Sequence, residues 1–149
     1  MNIAKLQKEE LPEALALILT VFMQYEAPEY LPEGVEMFRR IVDYNAIAPE
    51  LDSGKLVFWR CDHEGRIVGV AAVRDGTHIS LLFVDSAFHR QGIARRLFAA
   101  ACRGRDAMTV NSSPYAVNAY RKLGFAATDT EQLKDGIRFT PMRWQASSG

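Results

Sequence analysis

A chain of 149 residues, 48% of them hydrophobic, fits one domain of ordinary size with a real core. Eighteen Lys and Arg offset eighteen Asp and Glu, so no global field recruits nucleic acid or an anionic membrane, and electrostatic function must come from local clusters. Two unpaired cysteines, an amino terminus without a basic start or small-residue cleavage site, and no apolar run near the ~20 residues of a membrane span lead us to expect a cytoplasmic protein with no membrane partner.

Residues 2–6 read as a short strand. Over 9–27, Leu11, Ala14, Leu15, Ile18, Leu19, Phe22 and Met23 recur at helical spacing, with Pro12 near the first turn, where proline is tolerated. A second helix is predicted over 32–47 with Val35, Phe38, Ile41 and Val42 inward. Pro28, Pro32 and Gly34 punctuate the link between the two. From Leu56 the texture turns β-branched and aromatic: KLVFWRC and RIVGVAAV, joined by DHEG, read as a hairpin. HISLLFVD (78–85) is almost continuously apolar, as expected of a strand covered on both faces. A helix follows from Ile93, with Leu97, Phe98, Ala101 and Cys102 inward and Gly104 as its stop. Then come a strand over 107–113, a helix over 113–124 ended by Gly124, and two strands over 125–130 and 136–144 linked around Lys134, Asp135 and Gly136. The tail, 143–149, is expected to fray. There is no repeat or linker, so 1–149 reads as a single domain of the α/β class: a mixed sheet with helices on its faces.

One stretch breaks a local rule. FVDSAFHRQGIARRL (83–97) sets His89, Arg90, Arg95 and Arg96 around a helix start, where the peptide dipoles favour carboxylates. A strand, a short loop with Gly92, and a helix with Ala94 in its first turn can present several backbone N–H groups to one anion. A bound multi-phosphate would then stabilise the arginines. The plainer alternative is a turn at Gly92 flanked by solvated arginines. The segment is neither a Walker loop nor a dinucleotide fingerprint, because the Gly-Lys-Ser/Thr ending and the three-glycine spacing are missing.

The stretch LLFVDSAFHRQGIARRL resembles the acyl-CoA-binding motif of the GNAT acetyltransferases, and downstream AVNAYRKLGF resembles the A-x-x-x-Y-x-x-x-G-F helix of the same family. The match spans roughly residues 67–125. The resemblance implies a central mixed, mostly antiparallel sheet of about six or seven strands flanked by about four helices, and acetyl-CoA as co-substrate. It also implies that the backbone of Leu82, Phe83 and Val84 pairs with the pantetheine arm like an added strand. The loop of Arg90, Gln91, Gly92, Ile93, Ala94 and Arg95 would hold the pyrophosphate. Two positions depart from the family pattern. His89 stands where Arg or Gln is usual, and Ser113 stands where many members have Asn, with Asn111 two residues earlier.

The reaction implied is direct attack, in a ternary complex, of a primary amine of a small molecule or peptide on the thioester. It needs a neutral nitrogen, an oxyanion site and a proton for the leaving thiolate. By resemblance Tyr120 is the acid, with a purely anchoring role as the alternative. The oxyanion would meet a backbone N–H near Leu82–Val84. His78, at the start of the strand leading to the loop, is read as the base, with a relayed water as the competitor. By alternation His78 shares a face with Leu82 and Val84 unless a bulge intervenes. Phe22, Glu26 and Tyr30, with Tyr25 and Glu29, are read as an acceptor pocket suited to a cationic amine. Cys61, His63 and Cys102 lack ligand spacing, so no metal is expected. The last strand, GIRFTPMRW, reads as an exposed edge that leaves a homodimer open. The rival to an enzyme is a non-catalytic acyl-CoA-binding regulatory module.

Overall fold

Helix α1 (Leu11–Tyr25) buries Leu11, Ala14, Leu15, Ile18, Val21 and Phe22 in one stripe, the spacing that brings side chains three and four apart onto one face. Met23, expected inward, falls off that stripe and is exposed; Val21 takes its place. The coordinates are a computed structural model that describes residues 1–147, so residues 148 and 149 of the expected frayed tail lie outside them.

The single helix expected over 32–47 is two: α2 (Pro32–Ile41) and α3 (Tyr44–Ser53). Between them Val42 is buried, and the Asp43 carboxylate accepts from Asn45 N at 3.0 Å, so an N-cap starts a new helix at a new angle. Ile41, at the end of α2, is exposed rather than inward.

The strands are β1 (Asn2–Lys5), β2 (Leu56–His63), β3 (Arg66–Arg74), β4 (His78–Val84), β5 (Ala107–Ser112), β6 (Ala126–Ala127), β7 (Gln132–Lys134) and β8 (Ile137–Gln145). Their order is β1-β2-β3-β4-β5-β8-β6, with β7 also on β8, and only β4–β5 is parallel. The mixed, mostly antiparallel sheet is as expected; it has eight strands, and five α-helices complete it with α4 (Ile93–Ala101) and α5 (Val117–Lys122). The strand expected over 125–130 shrinks to Ala126–Ala127, since the Asp129 side chain accepts from Thr130 N at 2.7 Å and turns the chain into β7. Residues 143–145, expected to fray, belong to β8, and Ala146 N continues inward to Asp106 O at 2.8 Å. Nor is β8 an edge: it pairs with β5 on one side and with β6 and β7 on the other.

Helices α1, α2 and α3 cover one face of the sheet through a cluster that includes Leu81 and Phe83. The other face meets α4 and α5 through Ile79, Phe98, Met108 and Tyr120. Ile79 and Leu81 thus face opposite ways although two residues apart, because the β3–β4 register slips there: Val73 pairs with Ile79 and Ala72 with Leu81. Ser80 is the extra residue of a β-bulge. Beyond it β4 loses its other neighbour, since β4 and β5 pair only at His78–Thr109 and Ile79–Val110.

Candidate active site

The divergence of β4 from β5 opens a cleft of about 490 Å³. Leu82, Phe83 and Val84 form its β4 wall, the loop and first turn of α4 close one end, and Tyr115, Ala116, Ala119 and Tyr120 face them from α5 and the loop before it. Val21 and Glu26, from the end of α1, complete the wall. A larger hollow of about 650 Å³ lies between the outer side of α1 and α2–α3.

At the α4 end the backbone is shaped by two left-handed residues, Arg90 (φ 65°) and Gly92 (φ 77°). No atom lies within 4 Å of where a Gly92 Cβ would stand, so glycine serves the dihedral there rather than a tight fit. Arg96 N makes the first helical bond, to Gly92 O at 3.0 Å, which leaves the N–H groups of Ile93, Ala94 and Arg95 without carbonyls in the helix. Elsewhere Asp43 caps α3, and Asp85 caps the short 3-10 turn Ser86–Phe88 through Ala87 N at 3.0 Å. At α4 there is no side-chain cap and no acidic residue in the first turn. The α4 start is thus left with free amides and the positive end of its dipole, which attract negative charge. Arg95 braces the end by donating to Lys122 O, the last residue of α5, at 2.8 Å.

His89 is placed by the same loop. Its Nε2–H donates to Val84 O at 2.7 Å, and its ring packs on Tyr25, which in turn stacks on Tyr115 with centroids 5.0 Å apart. An aromatic row therefore joins α1, the α4 loop and the α5 loop across the cleft.

At the far end Tyr120 is buried on the cleft wall, edge-on to Phe125 at 5.4 Å. Burial, then the nearby Glu26 carboxyl and Tyr30, push its hydroxyl well above the ordinary tyrosine range, so it stays protonated at neutral pH. Glu26 itself is pushed up to about 7, chiefly by burial, with Glu29 adding to the rise and a hydrogen bond from Ser113 opposing it. Ser113 Oγ accepts from Ala116 N at 3.2 Å, which fixes the serine in the turn that opens α5. Among the described residues Glu29 Oε1 is buried without a hydrogen-bond partner.

Of the residues singled out in the sequence, Leu82, Phe83, Val84, Arg90, Gly92, Ile93, Ala94, Arg95, Glu26 and Tyr120 meet around this cleft. Gln91 is exposed beside it, and Asn111 is exposed in β5 opposite Pro141. Phe22 is not a pocket wall: it is fully buried, stacked on Phe38 at 3.9 Å. Tyr30 packs edge-on against Phe22 at 5.3 Å, outside the cleft lining, and bears on the site through its effect on Tyr120. His78 is displaced most. It sits where β4 and β5 are still joined, its Nδ1 2.8 Å from Thr109 Oγ1, outside the cleft lining. The bulge at Ser80 turns it to the face opposite Leu82 and Val84, and burial together with Arg74 holds its imidazole below the usual range. The sequence reading does not foresee Tyr115 and the aromatic row, because Tyr25, His89 and Tyr115 are far apart in the chain and only the fold brings them together.

Among the described residues there is no cluster of three or more metal-ligating side chains and no helix long and apolar enough to cross a membrane. A family model of the acetyltransferase (GNAT) domain matches residues 26–146. No curated protein matches the chain. Among solved structures, the GCN5-related N-acetyltransferase of Rhodopseudomonas palustris superposes with TM-score 0.82 at 21% identity, over 97% of this chain and 95% of that one. The PaiA N-acetyltransferase of Thermoplasma acidophilum, in complex with coenzyme A, gives 0.79 at 17%, over 97% and 98%. A GNAT-family acetyltransferase of Staphylococcus aureus Mu50 gives 0.71 at 15%, over 97% and 98%.

Proposed function

The chain belongs to the acetyltransferase (GNAT) family, and from that premise we propose that it moves an acetyl group from acetyl-CoA to a primary amine of a small molecule or peptide by direct attack in a ternary complex. One observation carries the reading: a single cleft joins an uncapped, cation-flanked helix start at one end to a buried, protonated tyrosine at the other. The residues suit a coenzyme A thioester. The amides of Gly92, Ile93, Ala94 and Arg95 would hold its pyrophosphate, with Arg90 adding charge. The β4 edge at Leu82–Val84, unpaired on this side, would take the pantetheine arm by strand addition.

The bound thioester supplies an activated acyl group, and the protein's part is to orient and to move protons. A backbone N–H of the β4 edge would meet the developing oxyanion. Tyr120 would give its proton to the departing thiolate, worth about 10²–10⁴ in rate for a positioned acid. Apolar walls from Val21, Phe83, Ile93 and Leu123 exclude water from the thioester.

The test is titration calorimetry with coenzyme A, followed by thiol release from acetyl-CoA against ethylamine, tyramine, putrescine, lysine amide and a tripeptide with a free amino terminus. Heat on binding and amine-dependent thiol release are expected, with Tyr120→Phe binding coenzyme A normally but turning over about 10²–10⁴ more slowly. No heat, or no amine-dependent release by the wild type, overturns the reading.

A further inference from the structure

We propose that Glu26 is the proton acceptor of the reaction, taking the proton from the incoming ammonium group at the acceptor end of the cleft. The inference rests on the acetyl-transfer reading above and deepens it. Among the described residues Glu26 is the one carboxylate lining the cleft, which Leu82, Phe83 and Tyr120 also line, and it is near enough to Tyr120 to act on its hydroxyl. The position follows from the fold: α1 ends at Tyr25, its last helical bond is Glu26 N to Phe22 O at 2.9 Å, and the 3-10 turn Ala27–Glu29 then turns the chain away. The carboxyl is thereby set at the cleft, with Ser113 near enough to favour its ionised form.

Burial and Glu29 raise the Glu26 carboxyl, and Ser113 opposes them. Around it stand Tyr25, Glu29 and Tyr30 from its own segment, Ser113 and Tyr115 from the loop before α5, and Tyr120 from α5; β4 contributes only apolar side chains. No cation faces it closely. Arg90 acts on Tyr115 rather than on Glu26, and Arg138 reaches only the backbone O of Glu29, at 3.5 Å. A carboxyl in such surroundings holds a proton until about neutral pH, which suits a base that must both accept a proton and release it again. His78, the base expected from the sequence, faces Thr109 outside the cleft.

The steps balance as follows. Ionised Glu26 takes one proton from R–NH₃⁺, and the freed nitrogen lone pair forms the C–N bond to the thioester carbonyl carbon. The C–S bond breaks with its electron pair on sulfur, which takes the Tyr120 proton. The tyrosinate recovers a proton from the acylated nitrogen, leaving an amide and a thiol, and Glu26 returns its proton to water.

The experiment is the pH dependence of kcat/KM for the amine, at saturating acetyl-CoA, with ethylamine and with 2,2,2-trifluoroethylamine, which is already neutral at pH 8. In the wild type, kcat/KM for ethylamine should rise tenfold per unit to about pH 7, where Glu26 is ionised, and then level. Glu26→Gln should lose about 10²–10³ at pH 7.5 and keep rising to pH 9, because solution must now supply the neutral amine. With trifluoroethylamine at pH 8 the same variant should lose less than about tenfold. Glu26→Asp should keep the levelling profile. An unchanged stabilisation by coenzyme A shows that each variant is folded with its donor end intact. A wild-type profile without a break near neutrality, or a Glu26→Gln profile that levels like the wild type, overturns the inference while leaving acetyl transfer standing. Absence of turnover by the wild type with every amine removes both.

Discussion

Replacing Glu26 with Gln should stabilise the protein above neutral pH, even as it removes function. The folded state holds the Glu26 proton more tightly than the unfolded chain does, so its contribution to stability is fully present below about pH 4.5 and is lost as the pH climbs through about 7. The rise from 4.5 to about 7, at 1.36 kcal/mol per pH unit, makes ionised Glu26 a burden of about 3 kcal/mol at pH 8. The amide never ionises, although it keeps its own desolvation cost. The variant should therefore be about 2–3 kcal/mol more stable at pH 8, a melting temperature higher by about 4–12 °C. Thermal melts of both proteins from pH 4.5 to 8.5 measure it: the two curves should meet at the acid end and separate through neutrality. Parallel curves across that range would refute the burial of this carboxyl as the source of its perturbation.

Three further outcomes follow from the structure. Gly34→Ala would ordinarily gain about 1 kcal/mol in a helix, but here its Cβ would stand 2.1 Å from Gly136 O; a net loss of about 1–3 kcal/mol is expected in urea melts. Gly92→Ala has room for its methyl yet must hold φ near 77°, so it should lose about 1–2 kcal/mol and weaken coenzyme A binding in calorimetry. His78→Gln should leave both turnover and its pH profile as in the wild type, since His78 lies outside the cleft; a flattened neutral limb would return it to the reaction.

Local patterns wrote much of this fold openly. The α1 stripe, the β2–β3 hairpin, the apolar β4 and the loop before α4 each follow from spacing, turn residues or a broken dipole rule, and they bring the α4 end of the cleft with them. The side bounded by the end of α1 is not legible in this way, because it depends on distant packing. A one-residue bulge at Ser80, which no periodicity announces, turned His78 to the other face. The aromatic Phe22 reads in sequence as a pocket wall but is buried against Phe38, which α2 brings over α1. Glu26 does line the cleft, yet its raised ionisation comes chiefly from burial by distant packing, with Glu29 adding to it and Ser113, far along the chain, opposing it.

The contact between Gly34 and the β7–β8 turn carries a consequence for specificity. Leu31 N donates to Gly136 O at 3.1 Å, and Arg138 reaches Glu29 O, so the segment bearing Glu26 and Glu29 hangs from a hairpin that does not line the cleft. On the proposed reading, lengthening or re-angling that hairpin would reshape the room offered to incoming amines while the loop before α4 kept its form. Acceptors could then diversify from the carboxy-terminal hairpin inward, with the proposed chemistry held constant.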